Sequence, residues 1–267
     1  MLGTMGKYVS GVSVSPIGTD AKTFYDVSFR EGNDCDMVNA FDRIIIEVPD
    51  VKTAAGDYSK LLGIAAYWPP KRLEGPPLAW FALGNTVVQL QGGDREKASI
   101  RGLVFASSQG SADATGLANP LGLDLALCDG SATAGVRAEA SVTDGLLVDH
   151  LVLRTGDPQG CIDLFGGQLG IRLALDKTAP QWGGRMLFFR AGKLTLEVIA
   201  ADEQPDHENA FWGIAYQCSD IEQCAAHLEK AGVSLSEIRP GRKPGTRVAT
   251  VKSHCLGIPT LLVEPAI

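Results

Sequence analysis

The chain has 267 residues, 45% apolar and 21% charged, with a formal charge of −7 and a pI near 5.1. Such a composition describes an ordinary globular chain, long enough for one large or two ordinary domains with a buried core. The acidic balance excludes general nucleic-acid binding, which needs a basic surface, and no apolar run approaches the ~20 residues that span a membrane. With no basic-then-apolar signal at its start, the chain is expected in the cytoplasm. Its six cysteines form no CxxC pair, so they are expected to be reduced, structural thiols.

Residues 1–38 mix Gly, Ser, Thr and Asp with short apolar pieces and fit a leader or an arm that adds a strand. Beyond them one grammar repeats. An apolar strand, Phe41 to Val48, is followed by Asp50 as a helix cap and by Gly63 as a helix stop. A strand pair, Leu78 to Leu83 and Thr86 to Gln91, comes next, after a loop marked by Pro69-Pro70 and Gly75-Pro76-Pro77. The third copy is the clearest. Val148 to Leu153 reads as a strand, Asp157 to Gly170 as a helix with Ile162, Phe165 and Leu169 at helical spacing, and three strands cover Ile171 to Leu175, Arg185 to Arg190 and Leu194 to Ile199. After a polar link, Ala201 to Asn209, the fourth copy runs through Trp212 to Cys218, a helix from Asp220 to Gly232, and strands Thr246 to Lys252 and Pro259 to Glu264.

Asp157 and Asp220 stand 63 residues apart but Asp50 and Asp157 stand 107 apart, so the longer interval holds one more, shortened module. Residues 99–147 contain strands at Ile100 to Ala106 and Leu121 to Cys128, with a Ser/Gly/Ala-rich loop at Ser107 to Ala118 where the helix belongs. The expected fold is α+β: four βαβββ modules in two pairs, the second module degenerate. Domain limits are expected at 39–145 and 146–267, with the boundary near Ala138 to Gly145.

Paired βαβββ modules whose first strand carries His and whose last carries Glu resemble the vicinal oxygen chelate superfamily, which includes glyoxalase I, extradiol dioxygenases and the bleomycin- and fosfomycin-resistance proteins. Asp149-His150-Leu-Val-Leu, Leu164-Phe165 before Leu169-Gly170, Leu187-Phe188-Phe189 and Leu196-Glu197 carry the resemblance, which spans about residues 39–266. It implies glyoxalase-like domains, each a cupped sheet in which the first and last strands of paired modules offer four ligand positions to a divalent metal. Imidazole and carboxylate suit Fe, Mn, Zn or Ni, and open positions admit a substrate's two adjacent oxygens.

On that pattern His150 and Glu197 are the expected metal ligands. The fourth module puts Gly213 and Leu261 or Leu262 at the matching places, so Glu264, two or three residues on, enters only by a register shift. His207 and His254 are the other imidazoles within reach of the cup. Glu197 and Glu264 are the candidate catalytic carboxylates. Trp212, Gln217, Lys243, Arg247 and His254 are candidate substrate-binding residues; Lys243 and Arg247 belong to a basic stretch, Arg239 to Arg247, able to take an acidic group. In the amino-terminal domain the matching residues are Arg43 and Gln89, and a fixed positive charge there opposes metal binding. The resemblance implies a metal-dependent lyase, isomerase or dioxygenase acting on a small molecule with vicinal oxygens. The alternative is metal-free binding and sequestration, as in bleomycin-resistance proteins. Expected partners are a small-molecule ligand and, at most, a second copy of the chain, with no nucleic acid and no membrane.

Overall fold

A computed structural model describes residues 12–17, 24–29, 38–70, 75–140, 145–179, 184–201 and 208–266. The chain divides into two compact units, Met1–Cys35 and Asp36–Ile267. In the first, β1 (Val12–Ile17) pairs antiparallel with β2 (Phe24–Phe29) as a two-stranded ribbon. Val38, the last residue of the expected leader, opens the next strand; the leader residues outside these strands lie outside the described ones, as do residues 141–144 of the expected domain boundary and residues 202–207 of the polar link, His207 among them.

The second unit carries the modules. Module one is β3 (Val38–Val48), α1 (Val51–Leu62), β4 (Leu78–Ala82) and β5 (Val87–Gly92), and module two is β6 (Ser99–Ser107), β7 (Thr115–Gly116), β8 (Asp124–Cys128) and α2 (Ser131–Ala140). Together they form a six-stranded sheet in the order β4-β5-β3-β6-β8-β7. Module three is β9 (Leu147–Thr155), α3 (Pro158–Cys161) continued by a π-helix (Ile162–Gln168), β10 (Arg172–Ala179), β11 (Gly184–Ala191) and β12 (Leu194–Ala201). Module four is β13 (Ala210–Gln217), α4 (Ile221–Lys230), β14 (Arg239–Pro240), β15 (Arg247–Val251) and β16 (Thr260–Glu264). These strands form an eight-stranded sheet, β10-β11-β12-β9-β13-β16-β15-β14. In every module the first strand lies parallel to the last, and the two first strands of a pair meet antiparallel at the centre of their sheet.

Local chemistry sets these boundaries. The carboxylates of Asp50, Asp157 and Asp220 accept first-turn N–H groups from Thr53, from Gly160, and from Glu222 and Gln223, satisfying donors that lack helical partners. Gly63, with φ 67°, closes α1 in the left-handed conformation that costs glycine least. Two features depart from expectation. The third helix widens into a π turn, with the Leu169 N–H reaching back to the Leu164 carbonyl across the Gly166-Gly167 pair. A helix also follows β8: α2 is anchored by Thr133, whose hydroxyl donates to the buried Asp42 carboxylate.

One apolar cluster runs through both sheets and the helices between them. Phe105 of β6 meets Phe165 of the π turn at 6.5 Å, and Phe165 meets Phe189 of β11 at 5.4 Å, a relay from one sheet through the helical layer to the other. Burying each ring contributes roughly 1.5–3 kcal/mol. Because side chains alternate along a strand, residues between the core positions form a second face on each sheet, turned away from the helices. We call it the cup face.

Candidate functional site

On β9 the core positions are Val148, Leu151 and Leu153, and on β12 they are Leu194, Leu196 and Val198, which leaves His150 and Glu197 on the cup face of adjacent parallel strands. Their Nε2 and Oε2 atoms stand 3.7 Å apart, with side chains 21% and 13% exposed. Asp149 is an extra residue in β9: His150 pairs with Ala215 and Val148 with Tyr216, so Asp149 bulges out between them. Its carboxylate lies 2.7 Å from His150 Nδ1. The imidazole therefore gives its Nδ1 proton to Asp149 and aims Nε2 at Glu197. The imidazole lone pair and the Glu197 carboxylate are thus turned toward each other as a pair of donors that a cation can bridge.

The same device occurs in each module. Asp42, Arg101, Asp149 and Trp212 each bulge from β3, β6, β9 and β13 in turn, and Arg43, Gly102, His150 and Gly213 follow them. At Gly213 a Cβ would come within 2.8 Å of the Pro259 carbonyl oxygen. The close approach of that backbone bars a side-chain ligand from the fourth module's first strand. The parallel register of β13 and β16 puts Leu261 opposite Ala215, as that of β9 and β12 puts Glu197 opposite Val152, so the last-strand position is apolar too.

Three expected cup residues stand elsewhere. Glu264 shares a face with Leu262, a core residue, and its carboxylate accepts from the Ile221 N–H at 2.8 Å at the start of α4. Arg247 pairs with Glu264 at 2.8 Å and with Glu222 at 2.7 Å, on the helix side of the sheet. His254, at φ 60°, turns toward the helical layer, with Nε2 3.9 Å from Asp57 of α1 and Nδ1 2.8 Å from the Ser253 hydroxyl. Lys243 lies in an exposed turn, where its carbonyl accepts from Thr246. Gln217 is on the cup face, half-buried, and Trp212 stands at the rim, 41% exposed, with the Arg154 guanidinium 4.3 Å over its ring. The structure thus brings His150, Glu197 and Gln217 to one face and takes Glu264, Arg247 and His254 away from it.

The Arg247 guanidinium and the Ile221 N–H hold the Glu264 carboxyl below its ordinary value of 4.5. A carboxyl depressed in the folded state stabilises above that value and loses its contribution as pH falls through the folded one. Glu264→Gln is expected to flatten the acid limb of the stability–pH curve below about pH 4.5. Denaturant unfolding across that range checks it; an unchanged limb would show that the ion pair is not coupled to folding.

Two residues that sequence reasoning missed hold the site. Asp149 was legible only as a carboxylate next to a histidine. Asn85, in the β4–β5 turn, accepts the Val148 N–H at 3.1 Å and donates to the Val148 carbonyl at 2.7 Å, clamping the strand beside the Asp149 bulge. Asn85→Ala leaves both Val148 groups unpaired and is expected to destabilise by about 1–3 kcal/mol, measured by urea unfolding. A loss under ~0.5 kcal/mol would mean that water replaces the clamp.

As metal donors, an imidazole fixed through Nδ1 and a neighbouring carboxylate are chemically apt, since histidine ligands generally give their second N–H to a carboxylate. They fit a divalent ion as a two-donor seat. Among the described residues there is no group of three or more His, Cys, Asp or Glu side chains able to hold a metal.

Residues 149–250 match the family model described as Glyoxalase/Bleomycin resistance protein/Dioxygenase superfamily. Among solved structures, a variant of 4-hydroxymandelate synthase from Streptomyces coelicolor is 13% identical with a TM-score of 0.63, over 85% of this chain and 92% of its own. A xylose isomerase-like TIM barrel/4-hydroxyphenylpyruvate dioxygenase fusion protein is also 13% identical, with a TM-score of 0.60 over 86% of this chain and 49% of its own. Methylmalonyl-CoA epimerase from Mycobacterium tuberculosis is 20% identical over 45% of this chain and 88% of its own, with a TM-score of 0.38. No curated protein matches the chain. The two long superpositions share the paired-module fold. Among the described residues no helix is long and apolar enough to cross a membrane.

Proposed function

We propose, from the match of residues 149–250 to the Glyoxalase/Bleomycin resistance protein/Dioxygenase superfamily model, that the carboxy-terminal cup is a metal-dependent active site of the lyase, isomerase or dioxygenase class. The substrate is a small molecule with two adjacent oxygens. The observation that carries this is the pair His150 Nε2 and Glu197 Oε2, 3.7 Å apart, with Nδ1 held by Asp149. A divalent metal there would be held by His150 and Glu197 and would supply Lewis acidity toward a chelating substrate. Asp149 keeps the Nδ1 proton and so keeps Nε2 as the atom that faces the ligand. Glu197, once displaced toward substrate, is placed to accept a proton from a carbon next to a carbonyl. Gln217 offers an amide to a substrate oxygen on the same face. The amino-terminal sheet, with Arg43 and Gln89 at the matching positions, serves as a metal-free partner domain, the halves dividing at about residue 145.

The test is reloading of the purified chain with Fe(II), Mn(II), Zn(II) and Ni(II), followed by elemental analysis. Near-stoichiometric retention of one of them supports the reading and directs substrate screening to diols, 2-oxoaldehyde adducts and catechols. No retention of any overturns it. One observation favours a second reading, metal-free sequestration of a small ligand: the Pro259 carbonyl excludes a donor at Gly213, and Leu261 supplies none. Ligand binding indifferent to a chelator would identify it.

A further inference from the structure

The amino-terminal sheet repeats the site in altered chemistry. Arg43 is opposite Val87 and Gln89 is opposite Ile45, the same parallel register that relates His150 to Thr195 and Glu197 to Val152. Asp42 bulges before Arg43 as Asp149 does before His150. The metal-type pair of one cup is replaced in the other by a guanidinium and an amide.

The Arg43 side chain is 8% exposed. Its nearest charge, Asp42 Oδ2, is 3.0 Å from Nε, yet the angle leaves both atoms without a hydrogen bond. Asp42 already accepts from Thr133, and Arg137 approaches it at 3.8 Å. Gln89 is no help to Arg43, because its oxygen accepts from Trp80 Nε1 at 3.0 Å and its nitrogen donates to Gln91 at 3.2 Å. Trp80 lies under the guanidinium at 5.5 Å, and Tyr67, 44% exposed, lies 6.0 Å from the Trp80 ring. A buried guanidinium with unused donors is costly unless an acceptor meets it, and its planar fork matches a carboxylate.

We propose that the amino-terminal cup is a second small-molecule site, in which Arg43 binds the carboxylate of a small organic acid whose flat apolar body lies along Trp80 and Tyr67. It stands apart from the metal reading of the other cup. Glycine at 102, where a Cβ would meet the Asp124 carbonyl, keeps the opposite strand of this cup free of a side chain, as Gly213 does in the other.

The experiment is isothermal titration of the full chain with sodium benzoate, alongside sodium acetate. Saturable benzoate binding is expected, tighter than that of acetate. It should weaken at least tenfold in the double variant Asp42→Asn, Arg43→Gln, which removes both buried charges together, and persist in His150→Ala. Arg43→Lys keeps the charge and the Asp42 partner while losing the fork, and so should also weaken binding tenfold. That variant decides the matter if the double one shows no cooperative unfolding. Absence of benzoate binding in the parent, unchanged affinity in Arg43→Lys, or loss confined to His150→Ala overturns the proposal.

Discussion

His150→Ala is expected to strip the carboxy-terminal cup of divalent metal. With two protein donors in the cup among the described residues, removing the imidazole leaves Glu197 as a single carboxylate, and a lone carboxylate does not retain a metal through gel filtration. The loss should exceed the roughly 10–100-fold that removing an outer hydrogen-bond partner costs. Asp149→Asn supplies that comparison, since it leaves the imidazole present but lets it turn away from Glu197. Glu264→Gln should leave metal content unchanged, because Glu264 lies on the helix side with Arg247. Elemental analysis of the three variants after reloading measures all of this. Metal retained in His150→Ala would remove the site from this pair of strands, and metal lost in Glu264→Gln would mean that the cup reaches across the sheet.

Asp42→Ala is expected to give the largest loss of stability. Its carboxylate is fully buried, accepts from Thr133 of α2, and stands beside Arg43 and Arg137. Replacing it leaves the Arg43 guanidinium in the sheet without that counter-charge and takes away the acceptor of the Thr133 hydroxyl of α2. Breaking one member of a buried pair typically costs 3–5 kcal/mol, about 6–20 °C in Tm for a chain of this size. The penalty belongs to the abandoned charge more than to the lost pair, so Asp42→Asn combined with Arg43→Gln should cost less than Asp42→Ala alone. Thermal and urea unfolding check both statements. A loss below ~1 kcal/mol for Asp42→Ala would mean that water or a solution anion replaces the carboxylate.

The module plan is legible in the sequence because its signals are local. Asp50, Asp157 and Asp220 cap helices through their own neighbours, and alternating apolar residues mark strands whatever they pack against. His150 and Glu197 are legible for a related reason, since each interrupts an apolar run at a corresponding place. Which way Glu264 faces is not local. Its alternation with Leu262 and Thr260 can be read off, but only the packing of Leu262 into the core decides that this shared side is the helical one. Asn85 is further out of reach, because its partner is 63 residues away and nothing in a Gly-Asn turn names Val148. The helix α2 was hidden by composition: it is an Ala-rich stretch without an apolar stripe, and among its described side chains the buried one is Thr133. The repeated bulge left a trace that could have been used, a carboxylate before the cup residue at both Asp42-Arg43 and Asp149-His150.

Because both sheets share one layer of helices, the chain resists division. Separating the halves would expose to water the faces on which Phe105 and Phe165 meet, and would cut the Asn85 clamp from the strand that bears His150. A gene fragment encoding residues 146–267 alone is therefore expected to aggregate instead of folding as a smaller domain. For the same reason, insertions at the outer strands β7 and β14 offer the safer places to graft a tag.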